Sequence, residues 1–445
     1  MAKVKIAIVG GGSYMWMPTF LRDIAVTQDL AGSKVFLDDI NPEALKLTTS
    51  LGQKIVKDTG ANISIQAAQD KEEALDGADF VILTISTGGL ETMRNDIEIP
   101  KKYGIYQPVG DTCGPGGISR ALRNIPVVVE IAKIMETMCP DAYLMNYTNP
   151  LSTLTRAVRS ETKIKSIGFC HELFGTMDLL KRIFDVEDES RFDLEVFGVN
   201  HLPWIVSLQL DGKDAFPRLN GFIEEHKCFG GDEKLSDPTQ AVFYGDNSVK
   251  FKLFKAFGAL PAAGDRHVCE FFPYFLTEKS RWAEAYGVKL TPIEYRYRWL
   301  ENDKKRIENM LAGREMTNMT RSREAAASFI SAMANSRNEK HIVNIPNELT
   351  IQGMPFDAIL ELFGYVSGRG VEGVPISQSP AAVMEILNYH IMIHELTVLA
   401  AVTGDRKIAL QAFMLDPLMR EFDDVEKMMN ELLEANKEFL PQFFS

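Results

Sequence analysis

The sequence predicts an α/β chain whose first half is a doubly wound parallel sheet and whose second half is a separate α+β domain. Three observations carry that reading. An apolar strand at the N-terminus runs into a glycine turn and a helix, three later apolar runs each end in small or polar residues, and the pattern changes near residue 195. A chain of 445 residues also outgrows a single core, which rarely exceeds about 250–300 residues. The expected division is 1–195 and 196–445.

Val4 to Val9 is a continuous apolar run, followed by Gly10-Gly11-Gly12-Ser13. Next comes "YMWMPTFLRDIA", with apolar residues at Met17, Phe20, Leu21 and Ile24 in helical period. A second strand, Lys34 to Leu37, ends in Asp38-Asp39, and "NPEALKLTTSLGQKI" resumes a helical pattern. This is the order of a Rossmann-like βαβ unit. There a pyrophosphate rests on the helix N-terminus, and an acid after the second strand takes the ribose hydroxyls. Gly10 and Gly12 fill two of the three fingerprint positions, while Met15 stands at the third. An ordinary strand-to-helix turn is the alternative. Asp39, with no arginine beside it, favours NAD over NADP.

The sheet is expected to continue through Phe80–Ser86, Ala142–Pro150 and Ile164–Cys170. Open parallel sheets bind ligands at their carboxyl ends. The sequence places Ser86, Thr87 and Gly88, then Asn146 and Asn149, then Cys170 and His171 at those ends. Beyond them, "FDLEVFGVNHLPWIVSLQLDGKDAF" reads as two strands with an Asp211-Gly212 turn after the second. From "YRYRWLENDKKRIENML" onward the pattern is mainly helical. The cleft between the two halves is the default active site.

The formal charge of −13, from 48 basic and 61 acidic residues, argues against nucleic-acid and anionic-membrane partners and for a small molecule. Five scattered cysteines without a CxxC pair are unlike a secreted disulfide framework, so a reducing, cytoplasmic setting is expected. No cleavable leader is expected ahead of the first strand. The apolar stretch from Ile386 is interrupted by Asn, two His and Glu, and so does not read as a membrane span.

Several groups carry possible chemistry. Cys170-His171 and Asn200-His201 put a thiol and two imidazoles near chain turns that can converge on a divalent metal. Their spacing alone equally suits a buried thiol and a hydrogen-bonded histidine. His390 and His394 share one helical face, but their apolar surroundings favour a packed helix. "GDRHVCEFFPYF" gathers Asp265, Arg266, His267 and Glu270 before a run of aromatics, as a ligand pocket or a solvated loop. Arg266 is suited to bidentate recognition of a carboxylate. "GDTCGPGG" either closes over a ligand or caps the helix that follows.

Taken together, these residues resemble the NAD- and manganese-dependent glycosidases of glycoside hydrolase family 4. The similarity runs along nearly the whole chain: "IVGGGS" with Asp39, "RNDIEIPKKYG", "GDTCGPGG" with "RALRNIP", "NYTNP", "CHEL", "GVNHLPW", "VNIPNEL" and "GDRKIALQAFMLDPL". Lactate and malate dehydrogenases are more distant relatives. The resemblance implies a metal, Mn2+ or another divalent ion, on Cys170 and His201. It also implies sugar contacts from Asn149 and Asn200, and positions near substrate for Arg94 and Asp111. A homodimer or homotetramer is expected with it.

The implied mechanism explains why a hydrolase needs a nucleotide. NAD takes hydride from C3 of the sugar, and the resulting ketone acidifies the C2 proton. A base removes it, the metal stabilises the enediolate, and the C1 oxygen leaves; water then adds and the hydride returns. Galactosidase members carry a tyrosine base after the glutamate of the His-x-x-Glu segment, whereas Phe271 follows Glu270 here. That leaves Tyr274, Asp111 and Asp265 as candidates for the acid and base duties. His171 after the motif cysteine argues against a 6-phosphosugar, and "CHE" resembles the α-galacturonidase branch, with His171 and Glu172 facing the sugar. α-Galactosidase and α-glucuronidase are the close alternatives. A hydroxy-acid or sugar dehydrogenase that releases NADH is the competing class.

Overall fold

The structure is a computed structural model that describes residues 2–231 and 238–444. The parallel strands are β1 (Lys5–Val9), β2 (Lys34–Asp38), β3 (Ser64–Ala67), β4 (Phe80–Leu83), β5 (Tyr143–Asn146) and β6 (Lys165–Gly168), in the order β3-β2-β1-β4-β5-β6. The central strands β1 and β4 are buried on both faces, as continuous apolar runs require of a sheet covered by helices on both sides, whereas the edge strand β3 is mostly exposed. The chain order reverses on either side of β1, which opens the crevice that such sheets use for ligands.

The sheet does not end there. β7 (Phe192–Val199), β8 (Leu202–Leu210), β9 (Lys213–Asp214), β10 (Leu260–Pro261), β11 (Glu339–Pro346), β12 (Ile359–Ser367) and β13 (Gly370–Gly373) extend it in antiparallel fashion. A single pair, Asn344 to Gly168, joins β11 to β6. Residue 195, the expected division, lies within β7, and the sheet runs on unbroken across it.

The expected α/β class is what the chain adopts, with two differences of detail. The parallel strands are shorter than their apolar runs: β4 stops at Leu83 and β6 at Gly168. Ser86 and Cys170 therefore stand in loops beyond the strand ends. The mainly helical reading of the second half missed β11 and β12, which pair with each other in antiparallel fashion and join the rest of the sheet through short contacts to β6 and β7. Helix Ala381–Thr403 is long and apolar enough to cross a membrane. Here it packs against helices Gly114–Met138, Leu151–Glu161 and Arg406–Leu415, as a core helix does.

One buried ion pair ties the parallel half together. Arg123 donates to both oxygens of Asp96, with both side chains fully buried. Arg123 Nε also donates to the carbonyl of Thr87 at 3.1 Å. The bidentate geometry offsets the cost of burying both charges, and it pins the loop after β4.

Candidate active site

The glycine turn after β1 is built for close backbone approach. Gly10 has φ +90°, and a Cβ there would lie 2.0 Å from the carbonyl oxygen of Thr84. Asp39 follows β2, and its two carboxylate oxygens accept from the Gly12 and Asn41 amides, each at 2.8 Å. Each oxygen keeps a second lone pair for a ribose hydroxyl. Gly11 packs on Leu37, and the Ser13 hydroxyl accepts from the Trp16 amide at 3.3 Å. Across the crevice, Ser86, Thr87 and Gly88 form the loop after β4. The Thr87 amide donates to Asn124 Oδ1 at 3.0 Å, and the Ser86 hydroxyl accepts from Arg120 at 3.4 Å. A cradle without side chains on one wall and a carboxylate at its end fits a dinucleotide.

At the far end of the crevice Asp111, His201 and His267 come together, with one ligand atom from each lying within 4.8 Å of the others. Each arrives from a different element. Asp111 stands in the loop before helix Gly114–Met138. That loop folds tightly on the helix, and a Cβ at Gly117 would lie 2.4 Å from the Thr112 carbonyl carbon. His201 occupies the two-residue turn between β7 and β8 with φ +66°. His267 lies in the short helix Asp265–Val268 and stacks on His201, their centroids 3.9 Å apart.

Hydrogen bonds orient this group. The Thr112 hydroxyl donates to Asp111 Oδ1 at 2.7 Å and lies 2.8 Å from His201 Nδ1. Its one proton is committed to Asp111, so it accepts from His201 Nδ1–H and leaves the Nε2 lone pair available to a metal. Burial opposes ionisation of Asp111, but His267, His201, Arg296 and Arg120 outweigh it and hold the carboxyl well below the ordinary range. Burial, then the neighbouring His201, pushes His267 down to about 3, and burial lowers His201. The group at neutral pH is two neutral imidazoles and a carboxylate, a donor set suited to manganese or another divalent first-row ion.

Cys170 lies outside that three-residue group. Its thiol shares a hydrogen bond with the Asn200 side chain, and burial raises its pKa well above the ordinary value, with Glu361 and Glu172 adding to the shift. Asn200 in turn donates to Glu361 Oε2 at 2.9 Å, as Asn344 does at 3.2 Å. Burial raises Glu361 to about 7 despite those two donors. Glu172 accepts from the Gly264 amide at 2.7 Å and lies 3.7 Å from His267 Nε2. Burial disfavours its charge, but His267, His201 and His171 prevail and hold it at about 2. His171 is raised to about 9, first by its bond to Glu324 at 3.2 Å.

Buried polar atoms without a protein partner concentrate here: Asn200 Oδ1, Arg266 Nε, His267 Nδ1, Glu270 Oε2, Arg296 Nε and Glu361 Oε1. Such atoms are costly unless a ligand, ion or water meets them. A cavity of about 500 Å³ opens beside them, with His171, Glu172, Arg266 and His267 on its wall. That volume suits a sugar ligand.

The remaining sequence candidates are placed as follows. Asn149 Nδ2 reaches Asp111 Oδ2 at 3.4 Å. Asp265 lines the cavity, but both its oxygens accept from backbone amides, of Val249 at 2.9 Å and Lys250 at 3.0 Å. Tyr274 is 54% exposed among Phe272 and Phe275 and does not line the cavity. Arg94 is at the surface, paired with Glu294 at 3.3 Å and stacked over Tyr297. Sequence reading passed over Thr112, Glu361, Arg296 and Lys250 as site residues. No local pattern marks Glu361, Arg296 and Lys250, which join the site through contacts between distant segments, while Thr112 stands within "GDTCGPGG" beside Asp111.

Comparison with known proteins gives the family and the fold. The model of the family 4 glycosyl hydrolases matches residues 5–186, and that of their C-terminal domain matches residues 196–419. An α-galacturonidase of Lachnoclostridium phytofermentans is 36% identical over 99% of this chain and 98% of its own. The crystal structure of the Bacillus subtilis protein lplD superposes with a TM-score of 0.90 at 31% identity, covering 97% of this chain and all of that one. A 6-phospho-α-glucosidase from gut microorganisms, solved with NAD and Mn2+, shares the fold at a TM-score of 0.84 and 23% identity, over 99% of each chain.

Proposed function

The chain belongs to glycosyl hydrolase family 4, and from that premise we propose that it hydrolyses α-linked galacturonides with the help of NAD and a divalent metal. The observation that carries this reading is the Asp111, His201 and His267 group at the end of a dinucleotide crevice, beside a cavity walled by His171 and Glu172. Relatives named α-galacturonidase support the choice of sugar.

Gly10, Gly11, Gly12 and Ser13 receive the pyrophosphate, Asp39 the ribose, and Ser86 to Gly88 the nicotinamide end. Asp111, His201 and His267 are the metal donors, with Thr112 holding the His201 ring, and Cys170, outside that group, is the donor that the family resemblance adds. When bound, NAD supplies a reversible hydride acceptor and the metal a Lewis acid, which together make the sugar C2 proton removable. Asp111, held ionised by the surrounding cationic groups and bonded by Asn149, supplies the negative charge that a bound metal would need. His171, protonated at neutral pH, is the group able to deliver a proton to the leaving oxygen. Asn200 and Asn149 orient sugar hydroxyls, and Arg266 contributes positive charge to the cavity wall.

The five cysteines are free, with Cys228 exposed, which supports a reducing, cytoplasmic setting. Tyr389, Met392, Leu399 and Val402 leave an apolar stripe exposed on one helix, which supports a homo-oligomer. The test compares an aryl α-galacturonide with the α-galactoside and the α-glucuronide, omitting NAD, Mn2+ and thiol reductant in turn. The galacturonide is expected to be cleaved fastest and to need all three additions. Steady release of NADH would instead favour the dehydrogenase class.

A further inference from the structure

The wall of the 500 Å³ cavity that carries Glu172 and His267 also carries Lys250, from helix Ser248–Phe257. Lys250 is only 2% exposed. Its ammonium donates to the Thr176 hydroxyl, whose own proton goes to the Ala262 carbonyl at 2.7 Å. Thr176 therefore fixes the ammonium in place and takes one of its three donors. Among the described residues no carboxylate pairs with it directly. A dehydrated ammonium with unmet donors calls for an acceptor, and an anionic one best compensates its burial.

The acids that share the cavity wall are already engaged. Asp265 caps the amides of Val249 and Lys250, Glu172 accepts from Gly264, and Asp178 accepts from Arg323 at 2.8 Å. Arg266 is differently placed. Its guanidinium lies 4.6 Å over the Phe243 ring, donates to Thr291 at 2.9 Å, and has Glu172, Asp111 and Glu270 around it. Arg266 Nε also lacks a partner, so both cations keep donors for a ligand, but Arg266 has three carboxylates around it, while the two near Lys250, Asp265 and Glu172, are already held by backbone amides.

We propose that Lys250 is the residue that recognises a sugar carboxylate in this cavity, and so sets the preference for uronides over neutral glycosides. This inference rests on the uronide reading above. In a hexopyranose the carbon that bears the carboxylate lies across the ring from C2. A sugar held at C2 and C3 by the Asp111, His201 and His267 group thus directs its carboxylate away from that group, toward the rest of the wall. A galactoside brings only a hydroxymethyl group there, and a site built for a charged partner discriminates against an analogue that lacks it.

The experiment uses the NAD- and Mn2+-loaded enzyme and measures kcat/KM for aryl α-galacturonide, aryl α-galactoside and digalacturonate. Lys250→Met, Lys250→Arg and Arg266→Met are compared with wild type, and NAD binding checks folding. Lys250→Met is expected to lower the galacturonide-to-galactoside ratio on the order of a hundredfold, mostly through KM, with Lys250→Arg recovering part of it. A ratio that holds for the aryl galacturonide while digalacturonate cleavage falls assigns Lys250 to the neighbouring uronate rather than the one cleaved. Equal losses on all substrates, or a ratio that responds to Arg266→Met but not to Lys250→Met, would overturn the proposal. Calorimetric binding of galacturonate against galactose separates it from the activity reading. A Lys250-dependent preference for galacturonate, in an enzyme that cleaves no galacturonide, upholds this inference and removes that reading.

Discussion

His201 and His267 stack beside the Asp111 carboxylate, and His390 and His394 lie one helical turn apart in the core helix Ala381–Thr403. His201, His267 and His390 are buried and His394 is half-buried, and both pairs have lowered pKa values. Burial takes His390 to about 3, with His394 adding to the shift, and His394 to about 4. The difference is in what surrounds them. The first pair faces Asp111 and Glu172, a hydroxyl that selects the tautomer, and a cavity of about 500 Å³. The second faces the Phe271 ring at 4.9 Å and a space of about 10 Å³. Proximity of imidazoles is therefore not what makes a metal site. A carboxylate within reach, a fixed ring nitrogen and room for substrate do.

The largest test of that contrast is His201→Ala against His394→Leu. The first should lower kcat on the order of a thousandfold or more, several kcal/mol of lost Lewis-acid stabilisation, and abolish Mn2+ binding seen by electron paramagnetic resonance. The second should leave both nearly unchanged. Equal losses would erase the distinction.

Next comes Thr112→Val, which removes the hydroxyl but keeps the shape. It should weaken Mn2+ binding about 10–100-fold, as loss of a ligand-orienting partner does. Activity should return at high Mn2+, and an unchanged Mn2+ titration would deny the hydroxyl its orienting role.

A smaller effect concerns Asp416, which shares the small cavity with His390 and His394. Burial raises its carboxyl to about 6, against the amides of Leu418 and Gly114 that favour the charged form. A raised acid contributes stability that is fully present below its unfolded pKa and is lost as pH rises through the folded value. Asp416→Asn should therefore be less stable than wild type at pH 5, with the deficit shrinking toward pH 7. Thermal melts across that range check the slope, and a constant deficit would contradict it. Smallest of all, His390→Leu should change stability by less than about 1 kcal/mol, because a neutral packed ring is exchanged for another apolar group.

Much of this was legible before any coordinates. The run Val4–Val9, the glycines and Asp39 are a local pattern, and the structure places them as the βαβ unit requires. The mainly helical reading of the second half failed where β11 and β12 are concerned, which pair with each other and are fixed in the sheet only by their contacts with β6 and β7. The site divides in the same way. Asp111 and His201 stand in short motifs that mark themselves. Thr112, Glu361 and Lys250 are ordinary polar residues in sequence, and their meaning comes from a hydroxyl, two asparagines or a cavity brought in from elsewhere.

By itself, the sequence determined the α/β class, the dinucleotide turn and the family, because apolar period, glycine conformational freedom and ordered motifs are properties of neighbouring residues. Which histidines are chemistry and which are core was decided only by tertiary structure. So was which cations on the cavity wall keep unmet donors. Charge state, tautomer and hydrogen-bond satisfaction depend on burial and on partners such as Thr176, 74 positions from Lys250, and those exist only once the chain has folded.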